Sequence, residues 1–519
     1  MHRRAFVTSG AALAALAGLE PRPARADVVP HLWQGHDFGP GPRPAERLNQ
    51  GPFDIDQDEG WFTIEATTPA RGPVRNPGLG LVGYTWEENG PALGVRESRQ
   101  TLEDAVLALA RLPFVDVLYL RCDWRDVQSR PGRLDLAPVW ALTREAARRH
   151  GLRVAFRVQL SNPEFQPQRL ALPDFVRDRV PLVTLERSRP GPARIEPRYD
   201  HPEFQRAFRE LNDLLAAELD LDPLVEFMDL MMYGFWGEGH TSDWASPFPD
   251  ATTAERTFVG MTRLQMDAWK RVPLVVNMQP DISRVGNREV QDLAVRGGAW
   301  LRSDSVILDE PIQIEALAHR PPWLAVVMED GYHRHYRRDT DRYRLDAAGV
   351  DAIETTMLHA LDIGANYWSL WTEAENLARY REARPMAFEA LEQRMGWRVR
   401  PSWIWQRKRY GTAELVVAFS NDGVAGVPGV LHLRALDREG RVLAAGGLDA
   451  GHPHAGRLRL ASFVLPQGME GRDLRLKSEI EIRGVRRPAR WACAQPLEPD
   501  GSLAVRLLPN DDPRWRKGI

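Results

Sequence analysis

Short runs of β-branched and apolar residues alternate with segments of helical period through the middle of the chain. The runs are Leu79–Tyr84, Val115–Leu120, Arg153–Val158, Glu226–Met232, Pro273–Met278, Ala299–Arg302, Trp323–Met328 and Ala365–Trp371, each of the length and composition of a strand buried on both faces. Helical patterns follow them. Between His201 and Leu219, Phe204, Phe208, Leu211, Leu215 and Leu219 share one face, with Asp200 placed as N-cap. Thr252 with Glu255 reads as a capping box opening another helix, and a third over Ala347–Ile363 stops at Gly364. Eight such units in order predict a (β/α)8 TIM barrel, because an open doubly wound sheet usually has fewer units and a phosphate-binding first turn. Gly78-Leu-Gly80-Leu-Val-Gly83 has the letters of that turn but lies inside the first strand, and the next helix begins only near Thr101, so small residues in a barrel strand are expected instead.

From Arg398 the pattern becomes one of short alternating strands, at Ala413–Ser420, Gly429–Leu436, Arg457–Leu465, Leu474–Ile482, Trp491–Ala494 and Leu503–Leu508. Turn residues such as Asn421-Asp422-Gly423 separate them, which predicts a small all-β sandwich over 398–519 after a barrel over 76–397. Residues 27–75, rich in Gly and Pro, read as an irregular arm. The start of the chain, with Arg3-Arg4-Ala5-Phe6, an apolar run from Ala11 to Leu19 and Ala24-x-Ala26, reads as a cleaved signal peptide of the twin-arginine type over 1–26. It predicts a mature chain from Asp27 in the periplasm or outside the cell, with no membrane span after cleavage.

Composition narrows the chemistry. The 519 residues carry 68 basic and 71 acidic groups, and only four of the basic ones are Lys. Arg and acid alternate without a basic run, so nucleic acid is not an expected partner. Cys122 and Cys493 are the two cysteines, too few for a disulfide framework or a Cys-rich zinc module. His333-Arg-His335 has no third ligand at matching spacing, so neither a metal nor another cofactor is expected. No G-x-S-x-G elbow and no H-E-x-x-H occur, against a lipase-type esterase or a zincin.

Barrel active sites form where strands end. The strand ends supply Trp86 and Glu87; Arg121, Asp123 and Trp124; Gln159 and Asn162; Tyr233, Trp236, Glu238 and His240; Asn277 and Gln279; Ser303 and Asp304; Glu329 and Asp330; Trp371 and Glu373. Carboxylates and amides beside indoles suit a sugar, whose C–H faces stack on rings while its hydroxyls bind acids and amides. The chain is rich in Trp, with 17, of which Trp86, Trp124, Trp236, Trp244, Trp368 and Trp371 fall at or just beyond predicted strand ends.

The stretch from Arg121-Cys-Asp-Trp124 through Arg130-Pro-Gly132 to Trp140 resembles the second βα unit of clan A glycoside hydrolases. Arg153–Val158 is similar to their third strand. Tyr233-Gly-Phe-Trp-Gly-Glu-Gly-His240 resembles their fourth strand end, and Val326-Val-Met-Glu329 their seventh, with Gly237 standing where that clan usually has Asn. The resemblance spans roughly residues 76–396. It implies a secreted glycosidase cleaving a β-glycosidic bond of an oligo- or polysaccharide by a two-carboxylate retaining mechanism, with Glu238 as acid/base and Glu329 as nucleophile. Glu238 then needs a raised pKa, which Tyr233, Trp236 and negative neighbours would provide. Arg121 is the expected partner of Glu329, Trp371 the floor beneath the sugar, and Glu373 the competing second carboxylate. Arg121, Asp123, Trp124, Tyr233, Trp236, His240, Asn277, Asp304, Trp371 and Glu373 together form the expected carbohydrate site. The alternative is a non-catalytic carbohydrate-binding or polysaccharide-assembly protein on the same scaffold. The loop of about 40 residues from Gln159 to Tyr199 is expected to form a lid or substrate wall.

Overall fold

The apolar runs become parallel strands because a sheet covered by helices outside and side chains inside is dry on both faces. The computed structural model describes residue 52 and residues 60–87, 90–91, 100–187, 192–241, 244–278, 287–304, 311–330, 352–370, 372–409 and 411–516. The expected signal segment, most of the expected arm, Trp371, His333 and His335 lie outside them.

The eight barrel strands are β1 (Gly80–Glu87), β2 (Val117–Asp123), β3 (Arg153–Gln159), β4 (Val225–Asp229), β5 (Leu274–Asn277), β6 (Trp300–Ser303), β7 (Val326–Asp330) and β8 (Tyr367–Leu370). They pair in chain order, and β8 returns to β1 with Tyr367 opposite Gly80 and Ser369 opposite Val82, which closes the sheet. Helices α1 (Leu102–Ala110), α2 (Pro138–His150), α3 (Pro202–Leu219), α4 (Ala251–Ala268), α5 (Asn287–Arg296), α6 (Pro311–Ala318), α7 (Ala352–Asp362) and α8 (Ala374–Ala383) follow the strands in turn. The period of two sorts each strand. On β2, Leu118, Leu120 and Cys122 join the core beneath the helices, while Val117 and Tyr119 belong to the barrel interior and Arg121 lies on their side of the pleat. Gly83 lets α1 approach, since a Cβ there would sit 2.8 Å from a Leu109 methyl; the glycine-rich stretch is thus a packing feature.

Two predicted helix starts shift. α3 is capped by His201, whose Nδ1 accepts from the Glu203 N–H, ahead of Pro202 at the first helical position. Asp200 instead pairs with Arg198 at 2.9 Å. α4 begins at Ala251 because the Asp250 carboxylate, better matched to a helix N-terminus, accepts from the Thr253 N–H at 2.8 Å.

Beyond the barrel stand β9 (Val399–Arg409), β10 (Thr412–Asn421), β11 (Val430–Leu436), β12 (Val442–Leu448), β13 (Leu458–Val464), β14 (Asp473–Ile482), β15 (Val485–Ala489) and β16 (Leu503–Arg506). One sheet runs Trp61–Ala66, β9, β10, β13, and the other runs β12, β11, β14, β15, with β16 also on β14. The expected arm therefore contributes a strand, Trp61–Ala66, to the sandwich. β9 and β15 escape the sequence pattern because Arg and Pro interrupt their alternation, and the strand expected at Trp491–Ala494 is reduced to an isolated bridge between Cys493 and Pro69, with β15 just before it. There β14 and β15 form a hairpin across Arg483-Gly484, both at positive φ, as a two-residue hairpin turn requires.

The sandwich covers the N-terminal end of the barrel, and the barrel interior and sandwich share one apolar core. Its polar link is Glu226, 1% exposed at the start of β4. This carboxylate accepts from the Gly78 N–H at 2.7 Å, the Tyr367 hydroxyl at 2.6 Å, Arg487 Nη1 of β15 at 2.7 Å, and Arg153. Burial pushes the Glu226 carboxyl up, but Arg153 and Arg487 outweigh it and hold the group below its ordinary value. Glu226→Gln leaves two guanidiniums without their anion and is expected to cost about 3–5 kcal/mol, read as a lower denaturant midpoint at unchanged slope.

Candidate active site

At the opposite end, the same alternation turns ionic. Tyr84, Tyr119, Arg121, Arg157, Gln159, Asp229, Asn277, Arg302, Asp304 and Glu329 lie on the inward face of the strands or just past their ends, all buried. Arg121 Nη1 reaches Glu238 at 3.2 Å and its Nη2 reaches Glu329 at 3.0 Å. Arg157 bonds Glu238 at 3.0 Å and faces Asp304 and Asp229 at 3.4 Å. Arg302 pairs with Asp304 and Glu329 and lies 3.3 Å from Asp229. The Tyr84 hydroxyl donates to Glu329 at 2.7 Å, and that of Tyr119 to Asp229. Three guanidiniums thus meet four carboxylates. An isolated charge here would cost several kcal/mol, and only the mutual pairing makes the set tolerable.

Glu238 arrives from a loop wound tightly on itself. The Phe235 N–H donates to the His240 carbonyl at 2.7 Å, the Glu238 N–H to the Phe235 carbonyl at 3.0 Å, and the Gly239 N–H to the Tyr233 carbonyl at 2.9 Å. Gly234, at φ +80°, has no room for a side chain, since a Cβ would lie 2.0 Å from the His240 carbonyl oxygen. Gly237, at φ +72°, faces the Arg157 side chain and supplies no amide of the kind the resemblance would place there. Trp236 holds φ +53° without being glycine, a strain of about 1–2 kcal/mol that the winding of the loop imposes. The result aims Glu238 into the barrel. His240 Nε2 stands 3.0 Å from Glu238 Oε2, and Asn277 Nδ2 donates to the Glu238 carbonyl at 3.2 Å.

Glu238 departs from the expectation of a raised pKa. Burial pushes it up, but the His240 bond and the Arg121 and Arg157 guanidiniums outweigh that and hold the carboxyl below its ordinary range. Of the opposing causes, the His240 bond comes from the same loop and the two guanidiniums from strands distant in the chain.

Oxygens of Glu238, Asp304 and Glu329 lie within 4.8 Å of one another. Such a trio has the donors for a cation, yet each member already has a guanidinium partner, so arginine neutralises the group. Arg121, His240, Asn277, Asp304, Glu238 and Glu329 are brought together in space. Others are placed elsewhere. Trp124 is fully buried, donates from Nε1 to Gln128 at 2.9 Å and packs edge-on against Phe204 of α3; the alternation of β2 carries it beneath the helices, away from the mouth. Tyr233 packs among Tyr199, Phe248 and Phe258. Asp123 accepts from Asn162 at 3.0 Å and pairs with Arg169 at 3.1 Å, anchoring the long β3–α3 loop. Glu373 accepts from the Thr372 hydroxyl at 2.9 Å just before α8, outside the carboxylate trio. Sequence reasoning missed Arg157, Arg302, Asp229, Tyr84 and Tyr119. Their signal was a charged or hydroxylated residue at an inward position of a buried strand.

The long loop carries a hairpin, Leu182–Leu185 with Arg194–Pro197, that packs on the Glu238 loop through Leu185, Phe235 and Trp244. Glu196 in this hairpin is fully buried and accepts from Ser161 and from Tyr199, whose hydroxyl in turn accepts from the Gly234 N–H at 3.0 Å. Burial, opposed by those bonds, raises its pKa from 4.5 to about 7.

No known family profile and no curated protein matches the chain. Among solved structures it is similar to a family 39 glycoside hydrolase from Bacteroides cellulosilyticus, at 9% identity over 79% of this chain and 88% of that one with a TM-score of 0.37. A β-amylase catalytic domain from Paenibacillus polymyxa is similar at 8% identity over 57% and 93%, with a TM-score of 0.38. An exo-β-1,4-mannosidase from an Opitutaceae bacterium is similar at 15% identity over 65% and 58%, with a TM-score of 0.35. These are distant likenesses of overall shape, and the roles of the site residues do not rest on them.

The two glutamates have opposite pH signatures. Between pH 4.5 and about 7 the folded chain binds a proton at Glu196 that the unfolded chain releases, so stability falls as pH rises across that window, by roughly 3 kcal/mol. Glu238, depressed when folded, contributes stability above its unfolded value and loses it as pH falls through the folded one. Denaturant titrations are expected to show Glu196→Gln gaining on the wild type toward pH 7 and above. Glu238→Gln is expected to be less stable at neutral pH and to converge on the wild type in acid.

Proposed function

We propose that the protein is an exported glycosidase that cleaves a β-glycosidic bond with retention of configuration, Glu238 acting as acid/base and Glu329 as nucleophile. The observation that carries this reading is the approach of their carboxylate oxygens, from the loop after β4 and from β7, to within 4.8 Å. Retaining pairs stand about 5–5.5 Å apart, whereas inverting pairs, about 6.5–9.5 Å apart, leave room for water. Arg121, Arg302 and the Tyr84 hydroxyl donate to Glu329 and hold it for attack. The Gln159 amide and Ser369 hydroxyl, inward and buried, make no hydrogen bond to the described residues and offer donors and acceptors to sugar hydroxyls.

In the first half-reaction Glu238 gives its proton to the leaving oxygen as a Glu329 oxygen bonds the anomeric carbon and the glycosidic bond breaks. In the second, Glu238 takes a proton from water, whose oxygen displaces Glu329. The first step needs a protonated Glu238, while the free site disfavours one. A sugar entering between Arg121 and the carboxylate weakens the cation that depresses it, and His240, bonded to Oε2, is the route by which a proton reaches it. The same depression supports a second reading, a carbohydrate-binding barrel whose carboxylates serve structure. Export rests on residues 3–26; the mature chain recovered from the cell envelope is expected to begin at Asp27.

Wild type, Glu238→Gln and Glu329→Gln are to be assayed on a panel of aryl glycosides and oligosaccharides, with the anomeric configuration of the first product followed by NMR. Glu329→Gln is expected to be inactive. Glu238→Gln is expected to lose about 10²–10⁴-fold on oligosaccharides and less on aryl glycosides with good leaving groups, which need no acid. Equal activity in all three would sink the site. An inverted product would sink the retaining mechanism, and binding without turnover would establish the second reading.

A further inference from the structure

Every other buried acid among the described residues, from Asp116 to Asp437, pairs with an arginine, but Glu196 in the hairpin of the β3–α3 loop is 0% exposed and meets only neutral donors. Ser161 and, at 3.5 Å, Gln166 Nε2 donate to one of its oxygens, and the Tyr199 hydroxyl donates to the other at 2.5 Å. The charged or titratable groups that face it are Arg194 on its own strand, whose guanidinium donates to the Pro163 carbonyl, and the Tyr199 phenol, with Tyr233 packed behind that ring. A carboxyl buried without a paired cation favours its neutral form, and burial raises Glu196 from 4.5 to about 7.

Two contacts carry the state of Glu196 into the loop that aims Glu238. The Tyr199 hydroxyl accepts from the Gly234 N–H at 3.0 Å, where the winding begins. Ser161 pairs along the backbone with Phe235, whose carbonyl accepts from the Glu238 N–H at 3.0 Å. The rest of the hairpin rests on the same segment. The Ala245 N–H donates to the Glu186 carbonyl at 2.9 Å, and Leu185 packs with Phe235 and Trp244. Arg187 and Arg194 lie over the Trp244 ring, their central carbons 5.1 and 5.9 Å from its centre.

We propose that Glu196 is a positioning residue for Glu238: neutral, it docks the hairpin on the loop that carries Glu238, and ionised, it loosens that docking. The inference names a regulation of the site proposed above and rests on that reading for its catalytic consequence, whereas the docking rests only on the bonds just given. A carboxyl that is harder to ionise when docked takes up a proton on docking. Docking is therefore strongest below pH 4.5 and weakens up to about pH 7, by about tenfold per pH unit. The same fall in pH that gives Glu238 the proton it needs for the first half-reaction fixes the loop that holds it.

The test is hydrogen exchange of the full chain followed by mass spectrometry, with protection corrected for the intrinsic pH dependence of exchange. In the wild type, peptides over residues 233–245 are expected to lose about tenfold or more in protection between about pH 5 and pH 7.5, while those over β10 stay constant. Glu196→Gln, which keeps the shape but has no proton to lose, is expected to protect the same peptides equally at both pH values. Tyr199→Phe cuts the path to Gly234, is expected to lower protection at every pH, and reads the connection if the Glu196 variant does not fold. On an oligosaccharide, the kcat of Glu196→Gln relative to wild type is expected to rise with pH up to about 7, with KM changing less. Protection that is flat with pH in the wild type, or that falls equally in Glu196→Gln, overturns the proposal, and a kcat ratio flat in pH overturns its link to catalysis. Protection that follows Glu196 without hydrolysis of any glycan would leave the docking standing and the glycosidase reading refuted; hydrolysis with flat protection would do the reverse.

Discussion

Three guanidiniums held inside a closed barrel constrain the rest of this molecule. Arg121, Arg157 and Arg302 project inward because strand alternation leaves them no other face, and each, almost fully buried, must find anions. Asp229, Glu238, Asp304 and Glu329 supply them. The requirement reaches beyond the strands, since Glu238 comes from a loop that must wind through three glycines and a strained tryptophan to bring its carboxylate to Arg121 and Arg157. The same pairing sets the chemistry, because it draws two glutamates from strands three units apart into mutual reach and helps hold the Glu238 carboxyl below its ordinary range.

The two ends of the barrel solve the buried-charge problem differently. At the N-terminal end, Glu226 is saturated by Arg153, Arg487, Tyr367 and a backbone N–H, and the sandwich seals it. There the ion pair is structural, a fastening between domains. At the C-terminal end the carboxylates are paired but, among the described residues, not sealed by a second domain, and a cavity of indole and arginine opens alongside. That difference in what covers the charge separates a fastening from a site.

The eight barrel strands were readable because burial on both faces leaves a continuous apolar run that no loop imitates. The catalytic candidates were readable for a related reason: Glu238 and Glu329 stand just beyond, or at the end of, such runs. The errors share one cause. Trp124 sits at a strand end as Glu329 does, and only the sense of the alternation, fixed by closure of the sheet, sends it under α3. Arg157 and Arg302 resembled ordinary charges inside strands until their neighbours across the barrel were known. β9 and Trp61–Ala66 pair with partners hundreds of residues away in one case and a single turn away in the other, and neither carries a clean alternating pattern of its own.

Sequence alone therefore determined the number and order of barrel units, the position of the appended β domain and the identity of the two opposed glutamates, because hydrophobic period and strand ends are local properties. Tertiary structure decided the protonation bias of Glu238, the distance between the glutamates, the burial of Trp124 and the meeting of Arg187 and Arg194 on Trp244. Each of these depends on a field or a contact between residues far apart in the chain, and the chain records such neighbours only once it has closed into a barrel.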